Sequence, residues 1–304
     1  MYIIAKSCVT IHAPGKLNLH LEIGERRPDG FHDLRSIFIC LDFGDTLRFE
    51  LGGDRLVIDV EGAGIPLEDT MVRRAVERFS AQTGFDLPLH VQLQKRIPIG
   101  GGLGGGSSDA AATLLALDAL AETGLSQEAL FRMAADLGSD VPFFLQQRAA
   151  WVEGRGDVLL PIPMPGAWWI VLVNPGFSCD TGEAYGMLDA MRESGAGRNA
   201  EKLPREALIA ALSNAPSTWP FRNDFLQMHL ERGAPELREA FTRILADLAA
   251  QGAEFRGLSG TGATCFGIFT DKGAAERAVI SLKDRWFFTH LTFFLAFSVN
   301  WVVQ

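Results

Sequence analysis

Leu17, Leu19, Leu21 and Ile23 alternate with Lys16, Asn18, His20 and Glu22 near the start of the chain. That period of two predicts a β-strand with one polar face. A turn cluster, Arg26-Arg-Pro-Asp-Gly30, comes next, and residues 31–41 resume an extended apolar run. Leu47, Phe49 and Leu51, then Leu56, Ile58 and Val60, predict two further strands separated by Gly52-Gly53. The spacing becomes helical over 70–83, and Leu89, Val91 and Leu93 return to alternation in a strand that enters a glycine loop. Helices are predicted over 108–121 and 126–137. Beyond them come a strand at 168–173, helices near 182–192 and 235–250, two strands around 257–262, and a helix at 273–284. The fold class is therefore α+β. The order of the second half, β-α-β-β-α-β with helices inserted, points to a ferredoxin-like split βαβ arrangement. Pro161-Ile-Pro-Met-Pro-Gly166 is the natural boundary, which divides the chain into domains at 1–163 and 164–304.

A length of 304 residues suits one large or two medium domains with ample core. The net charge of −9 argues against nucleic acid or an anionic membrane surface as partner. It leaves room for a local basic pocket that takes a phosphorylated small molecule. Cys8, Cys40, Cys179 and Cys265 are scattered and form no CxxC pair, so neither a disulfide framework nor a zinc site is expected. A reducing, cytoplasmic setting fits best, and the first ten residues lack the apolar core of a signal peptide. Residues 286–304 are unusually apolar but are interrupted by Thr289, His290 and Asn300. They fall short of the roughly 20-residue apolar span of a membrane helix, and a terminal strand or strand pair is expected there. Monomer and homodimer are both compatible with the sequence.

Six of the seven residues from Gly100 to Gly106 are glycine, and an alanine-rich apolar segment follows at once. Such a run is costly to order, and it suits a place where backbone N–H groups must closely approach a ligand. A helix start directly behind it adds unpaired donors and a positive dipole end, which together make a phosphate cradle. A Walker loop needs a lysine where Ser107 stands. Gly100, Gly102 and Gly105 satisfy a dinucleotide fingerprint, but one helix leads into another where that fold needs a second strand. A flexible linker would separate domains, whereas this loop lies between an alternating strand and a strong helix. What remains is a glycine-rich phosphate loop of another class, capped by Ser107, Ser108 or Asp109 at the helix start.

The segment Pro98-Ile-Gly-Gly-Gly-Leu-Gly-Gly-Gly-Ser-Ser-Asp-Ala110 resembles the central phosphate-binding motif of the GHMP kinases. Ala13-Pro-Gly-Lys-Leu-Asn-Leu19 is similar to that superfamily's N-terminal motif, and Leu258-Ser-Gly-Thr-Gly-Ala-Thr264 to its C-terminal glycine motif. Three motifs in the right order are far more specific than any one of them. The resemblance implies a two-lobed fold, an N-terminal ribosomal-protein-S5-like β-α lobe and a C-terminal ferredoxin-like lobe. It implies direct in-line transfer of a phosphoryl group from ATP to an alcohol, with Mg²⁺ and without a phospho-enzyme. ATP would lie on Pro98, Ile99, Gly100, Gly101, Gly102, Leu103, Gly104, Gly105, Gly106, Ser107 and Ser108, with Ser107 or Ser108 reaching the metal. Asp29-Gly-Phe-His-Asp-Leu-Arg-Ser-Ile-Phe38, Gly138-Ser-Asp-Val-Pro-Phe143, Asn174-Pro-Gly176 and Asn223-Asp224 resemble the branch whose alcohol is a cytidine diphosphate-linked methylerythritol. A homoserine- or mevalonate-type alcohol, or a binding protein on the same fold without catalysis, are the alternatives.

By its position alone, Asp140 reads as the N-cap of a helix at 141–146. By resemblance it is the base that takes the substrate hydroxyl's proton. Lys16 reads as a solvated strand lysine. By resemblance it approaches Asp140 and the transferring phosphate, where it would keep the carboxylate ionised and offset developing charge. His32 alone is a loop histidine, but by resemblance it reads the cytosine edge, between Phe31 and Tyr185 on the two ring faces. Stacking of that kind is worth about 1–3 kcal/mol per base. Asn18 and Thr181 match weaker contacts to the substrate. Gly260 and Gly262 read as a tight hairpin turn and, by resemblance, as phosphate-proximal. Lys95 and Arg96 suit either nucleotide neighbours or plain strand-end charges.

Overall fold

β1 (Cys8–Arg26) and β2 (His32–Leu51) form a long antiparallel pair. In this computed structural model, which describes residues 7–62, 70–86, 88–146, 148–164, 166–195 and 202–295, that pair is the spine of the first lobe. β2 is one continuous strand where the sequence predicts two separate runs. After a register shift, pairing with β1 resumes at Gly44, Asp45 and Thr46, with Asp45 opposite Ala13. β3 (Val57–Glu61) and β4 (Leu89–Gln94) run parallel, and β4 pairs with the C-terminal half of β2. The hairpin β5 (Ala150–Glu153) and β6 (Val158–Pro161) joins the N-terminal half of β2.

Four helices cover one face of this sheet: α1 (Met71–Thr83), α2 (Gly105–Ala121), α3 (Gln127–Leu137) and α4 (Val141–Gln146). α2 is the central one. It carries small or apolar residues nearly all round, and Ala110, Ala111, Ala112, Leu114, Leu117 and Leu120 are all buried. A helix of that composition belongs inside a core, here between the sheet, α1 and α4. α1 and α3 begin on Thr70 and Ser126, whose hydroxyls accept the N–H groups of Arg73 and Ala129.

The second lobe is built on β7 (Trp169–Asn174), β8 (Phe255–Leu258), β9 (Cys265–Phe269) and β10 (Phe288–Phe293). These lie in the order β10-β7-β9-β8, all antiparallel. α5 (Thr181–Glu193), α6 (Arg205–Ala211), α7 (Asp224–Arg232), α8 (Pro235–Ala250) and α9 (Lys272–Leu282) complete it. With α8 and α9 as the crossovers, this is the ferredoxin-like topology expected from the order of the elements. The terminal apolar segment supplies β10, and residues 296–304 lie outside the described residues. No helix among the described residues is long and apolar enough to cross a membrane.

The sheets of the two lobes share an apolar layer. Leu17, Ile37, Ile39 and Trp151 from the first meet Trp168, Ile170, Leu172 and Phe266 from the second. This burial explains a departure from the expected pattern on β1. Lys16 and Asn18 share a face, but the register shifts between Asn18, opposite Phe38, and His20, opposite Ile37. A one-residue bulge moves every later side chain to the other face. His20 and Glu22 therefore turn toward the second lobe, where Glu22 pairs with Arg35 and Arg222. The single polar face of the alternation is two polar faces, and all four residues are buried.

Candidate active site

The glycine loop is held from below by the other two motifs. Lys16 N–H donates to the Leu103 carbonyl at 2.9 Å. Thr264 N–H donates to the Gly101 carbonyl at 3.1 Å, and Ser259 Oγ to the Gly102 carbonyl at 2.9 Å. A Cβ on Gly102 would lie 2.1 Å from the Ser259 carbonyl oxygen, and φ there is +76°. Only glycine allows the loop to settle this closely onto the C-terminal motif. Gly260 donates its N–H to Asn18 Oδ1 at 2.8 Å, and Asn223 Nδ2 holds the Leu258 and Gly260 carbonyls at 2.7 and 2.9 Å. The turn between β8 and β9 is thus both a hairpin and a clasp under the loop.

The structure corrects the helix start. α2 begins at Gly105 on Gly104, which has φ +71° and no side-chain cap, so Ser107, Ser108 and Asp109 lie within the helix. The first helical bond runs from Ser108 N–H to the Gly104 carbonyl. The N–H groups of Gly105, Gly106 and Ser107 are therefore left without helical partners, as an anion site requires. Above them lies a cavity of about 350 Å³, lined by residues 97–107 together with Thr70, Met71 and Lys95. The Leu103 and Ser108 side chains are buried away from it, the former in the apolar layer between the lobes. Ser107 is the serine that faces the cavity.

A second cavity, of about 640 Å³, opens on the other side of Ser107. Asp140, Phe31, His32, Thr181 and Tyr185 line it, so these candidates come together in one place. Asp140 precedes α4, and its Oδ2 lies 3.6 Å from Lys16 Nζ. Lys16 is enclosed, with its ammonium 2.7 Å from Asn18 Oδ1 and 4.9 Å from the Phe38 ring centre. Burial pushes the Lys16 ammonium below the usual lysine range, against the opposing pull of Asp140. A Cβ on Gly104 would come within 3.1 Å of the Lys16 side chain, so this glycine also makes room for the lysine.

Asn18 does not reach either cavity. Its amide is spent on Lys16, Gly260 and Ser36, which makes it a support for the lysine. Tyr185 tilts against His32, ring centres 5.2 Å apart at 32°, and Phe225 backs it edge-on. Burial, together with the charge of Asp140, pushes the Tyr185 hydroxyl up to about 12. Phe31 sits at the mouth, 52% exposed, with the Arg155 guanidinium 5.0 Å from its ring centre.

Sequence reasoning missed Arg155 and Asp189, whose Oδ2 lies 3.3 Å from His32 Nε2. Asp189 stands four residues after Tyr185 on α5, a spacing that would have placed it on the same helix face. Also unforeseen is a buried charge cluster behind the loop. Lys95 Nζ lies 2.5 Å from Asp45 Oδ2 and 2.8 Å from Asp109 Oδ2, and Asp45 Oδ1 accepts the N–H groups of Arg96 and Ile97. Burial raises the Asp109 carboxyl to about 8, and the two carboxylates hold the Lys95 ammonium above its usual range. This cluster fastens β2 to the N-terminal part of α2, and Lys95 also lines the loop cavity.

Sequence profiles of the GHMP kinases match here twice, the N-terminal domain over residues 70–148 and the C-terminal domain over 205–286. A 4-diphosphocytidyl-2-C-methyl-D-erythritol kinase of Pseudomonas savastanoi pv. phaseolicola is 36% identical over 284 residues, covering 92% of this chain and 90% of the relative. A crystal structure of a 4-(cytidine 5'-diphospho)-2C-methyl-D-erythritol kinase superposes with a TM-score of 0.77 at 32% identity, over 94% of this chain and 98% of that one. The homoserine kinase of Cytophaga hutchinsonii shares the fold, with a TM-score of 0.66 at 16% identity over 93% and 92% of the two chains. Likeness of that extent, carried through both lobes, is common descent: the chain belongs to the GHMP kinase family.

Proposed function

We propose that this chain transfers the γ-phosphoryl group of ATP to the 2-hydroxyl of 4-diphosphocytidyl-2-C-methyl-D-erythritol, a step of the non-mevalonate route to isoprenoid precursors. One observation carries the reading. Ser107 lines both cavities, and the Lys16–Asp140 pair stands beside it, so a nucleotide and an alcohol entering from opposite sides meet there. The larger cavity holds His32, Tyr185 and Phe31, an aromatic and hydrogen-bonding set suited to a nucleobase. Homoserine and mevalonate have no base to occupy it.

The loop from Gly100 to Ser107 receives the ATP phosphates on its backbone N–H groups, with the positive end of α2 behind them. Asp140 orients the attacking hydroxyl and accepts its proton as the new O–P bond forms. The Lys16 ammonium keeps that carboxylate ionised beforehand and offsets the charge that spreads over the phosphoryl oxygens. Thr181 and Tyr185 at the start of α5 contact the substrate, while Gly260 and Gly262 fix the height of the loop. The residues fit a magnesium ion as well. Mg²⁺ takes few protein oxygens and relies on phosphates and water, and the Ser107 hydroxyl is a hard donor facing the loop cavity. When bound, it would neutralise phosphate charge.

The test is ATP consumption with the cytidyl substrate, mevalonate and homoserine in parallel. Turnover is expected with the cytidyl substrate alone. Turnover confined to mevalonate or homoserine would overturn the substrate, and nucleotide binding without turnover on any alcohol would overturn the catalytic reading.

A further inference from the structure

Thr181, Tyr185 and Asp189 recur every four residues on α5, and all three line the larger cavity. The first two have been given substrate contacts. Asp189 has a different neighbour, because its carboxylate lies 3.3 Å from His32 Nε2. The other ring nitrogen, Nδ1, is 3.1 Å from the Gly24 carbonyl, which can only accept, so Nδ1 carries a hydrogen and donates. That carbonyl is itself fixed: Arg192, one turn further along α5, donates to it at 2.7 Å and to the Ile23 carbonyl at 2.7 Å. The helix therefore grips both the turn that carries His32 and the ring itself.

The two grips differ in kind. Arg192 is committed to backbone carbonyls and to Asp224. Asp189 is 26% exposed and borders the cavity. A single hydrogen bond at Nδ1 leaves the imidazole free to swing about that contact, whereas a carboxylate 3.3 Å from Nε2 favours the one orientation that keeps both nitrogens beside oxygen. Turning the ring over would put carbon atoms against both oxygens. The orientation kept is the one in which the imidazole lies 32° from the plane of Tyr185.

We propose that Asp189 is a positioning residue for base recognition, holding the His32 ring in the orientation that receives the cytidyl group. This rests on the reading of His32 as a base contact. Asp189 acts through His32 and touches neither the reacting hydroxyl nor the phosphates. Its loss should therefore weaken capture of the cytidyl substrate and spare the chemical step.

The experiment is steady-state kinetics and thermal melting of the full chain carrying Asp189→Ala, Asp189→Asn, His32→Ala, and the His32→Ala/Asp189→Ala pair. Asp189→Ala should raise KM for the cytidyl substrate about tenfold, the scale of one polar contact at a partly exposed site. It should leave kcat and the KM for ATP close to those of the parent. Asp189→Asn keeps an acceptor oxygen and should recover most of the loss. In the His32→Ala background the second substitution should add nothing further. Multiplying losses in the pair, or a fall in kcat and ATP affinity together with the melting temperature, would overturn the proposal. So would a raised KM in His32→Ala with none in Asp189→Ala. An unchanged KM in His32→Ala would instead overturn the base-reading role of His32, and the positioning role with it.

Discussion

Replacing Asp140 with asparagine keeps the shape of the side chain and removes its charge and its basicity. Two losses follow, of different size. The proton acceptor disappears, and a positioned general base typically contributes about 100- to 10,000-fold in rate. The partner of a buried lysine also disappears. At 3.6 Å the Lys16–Asp140 pair is worth about 1.2 kcal/mol in the dielectric of water and about 4.6 at an effective dielectric of about 20. Asp140 is 32% exposed, so solvent screens it and the lower end applies, about 1–2 kcal/mol. The rate effect should therefore exceed the stability effect. The glycine loop makes no use of Asp140, so affinity for ATP should survive. The assay is kcat and both KM values by coupled ATP consumption, with urea unfolding in parallel. A variant that retains more than a tenth of the parent kcat would remove Asp140 as the base. One that loses ATP affinity in step with kcat would show that the loop and the carboxylate are not independent.

Two further outcomes test the surroundings of that pair. Burial holds the Lys16 pKa below 10.5, and the ammonium is the working form, so kcat should fall as pH rises through a value below 10.5. Lys16→Arg keeps its charge throughout and should abolish that alkaline limb at a reduced overall rate, and an unchanged limb would assign it to another group. Gly102→Ala would set a Cβ 2.1 Å from the Ser259 oxygen at φ +76°, and should lower unfolding free energy by at least about 2 kcal/mol and raise the KM for ATP. A variant as stable as the parent would show that the clasp gives way freely.

Much of the architecture was legible because the hydrophobic period changes cleanly along the chain. α1, α3, α8 and each strand of the second sheet announce themselves by spacing and by glycines at the turns. What spacing could not convey was the direction of side chains after a bulge. The alternation from Lys16 to Glu22 is unbroken in sequence, yet one extra residue at Leu19 separates the lysine that faces Asp140 from His20 and Glu22 at the lobe boundary. Likewise, glycines looked like loop, and so the first turn of α2 was assigned to the cradle when Gly105 and Gly106 are helical. Asn18 carries a motif position but has its amide consumed by neighbours that lie 18 and 242 residues away. Asp189 was invisible for the opposite reason. It belongs to no motif, and only the approach of α5 to the β1–β2 turn gives it a partner.

The boundary between the lobes is one of topology and not of energetics. Leu17, Ile37 and Trp151 on one side and Trp168, Ile170 and Phe266 on the other complete a single layer, and the carbonyls of Gly101 and Gly102 are tied across it by Thr264 and Ser259. Severed between β6 and β7, each half would expose a raw apolar face, and the phosphate cradle would lose its floor. The cradle is thus not a cassette that either half could carry into another protein. It comes into being only when the last third of the chain has docked, so that a nascent chain released early would be a sticky fragment and not a feeble kinase.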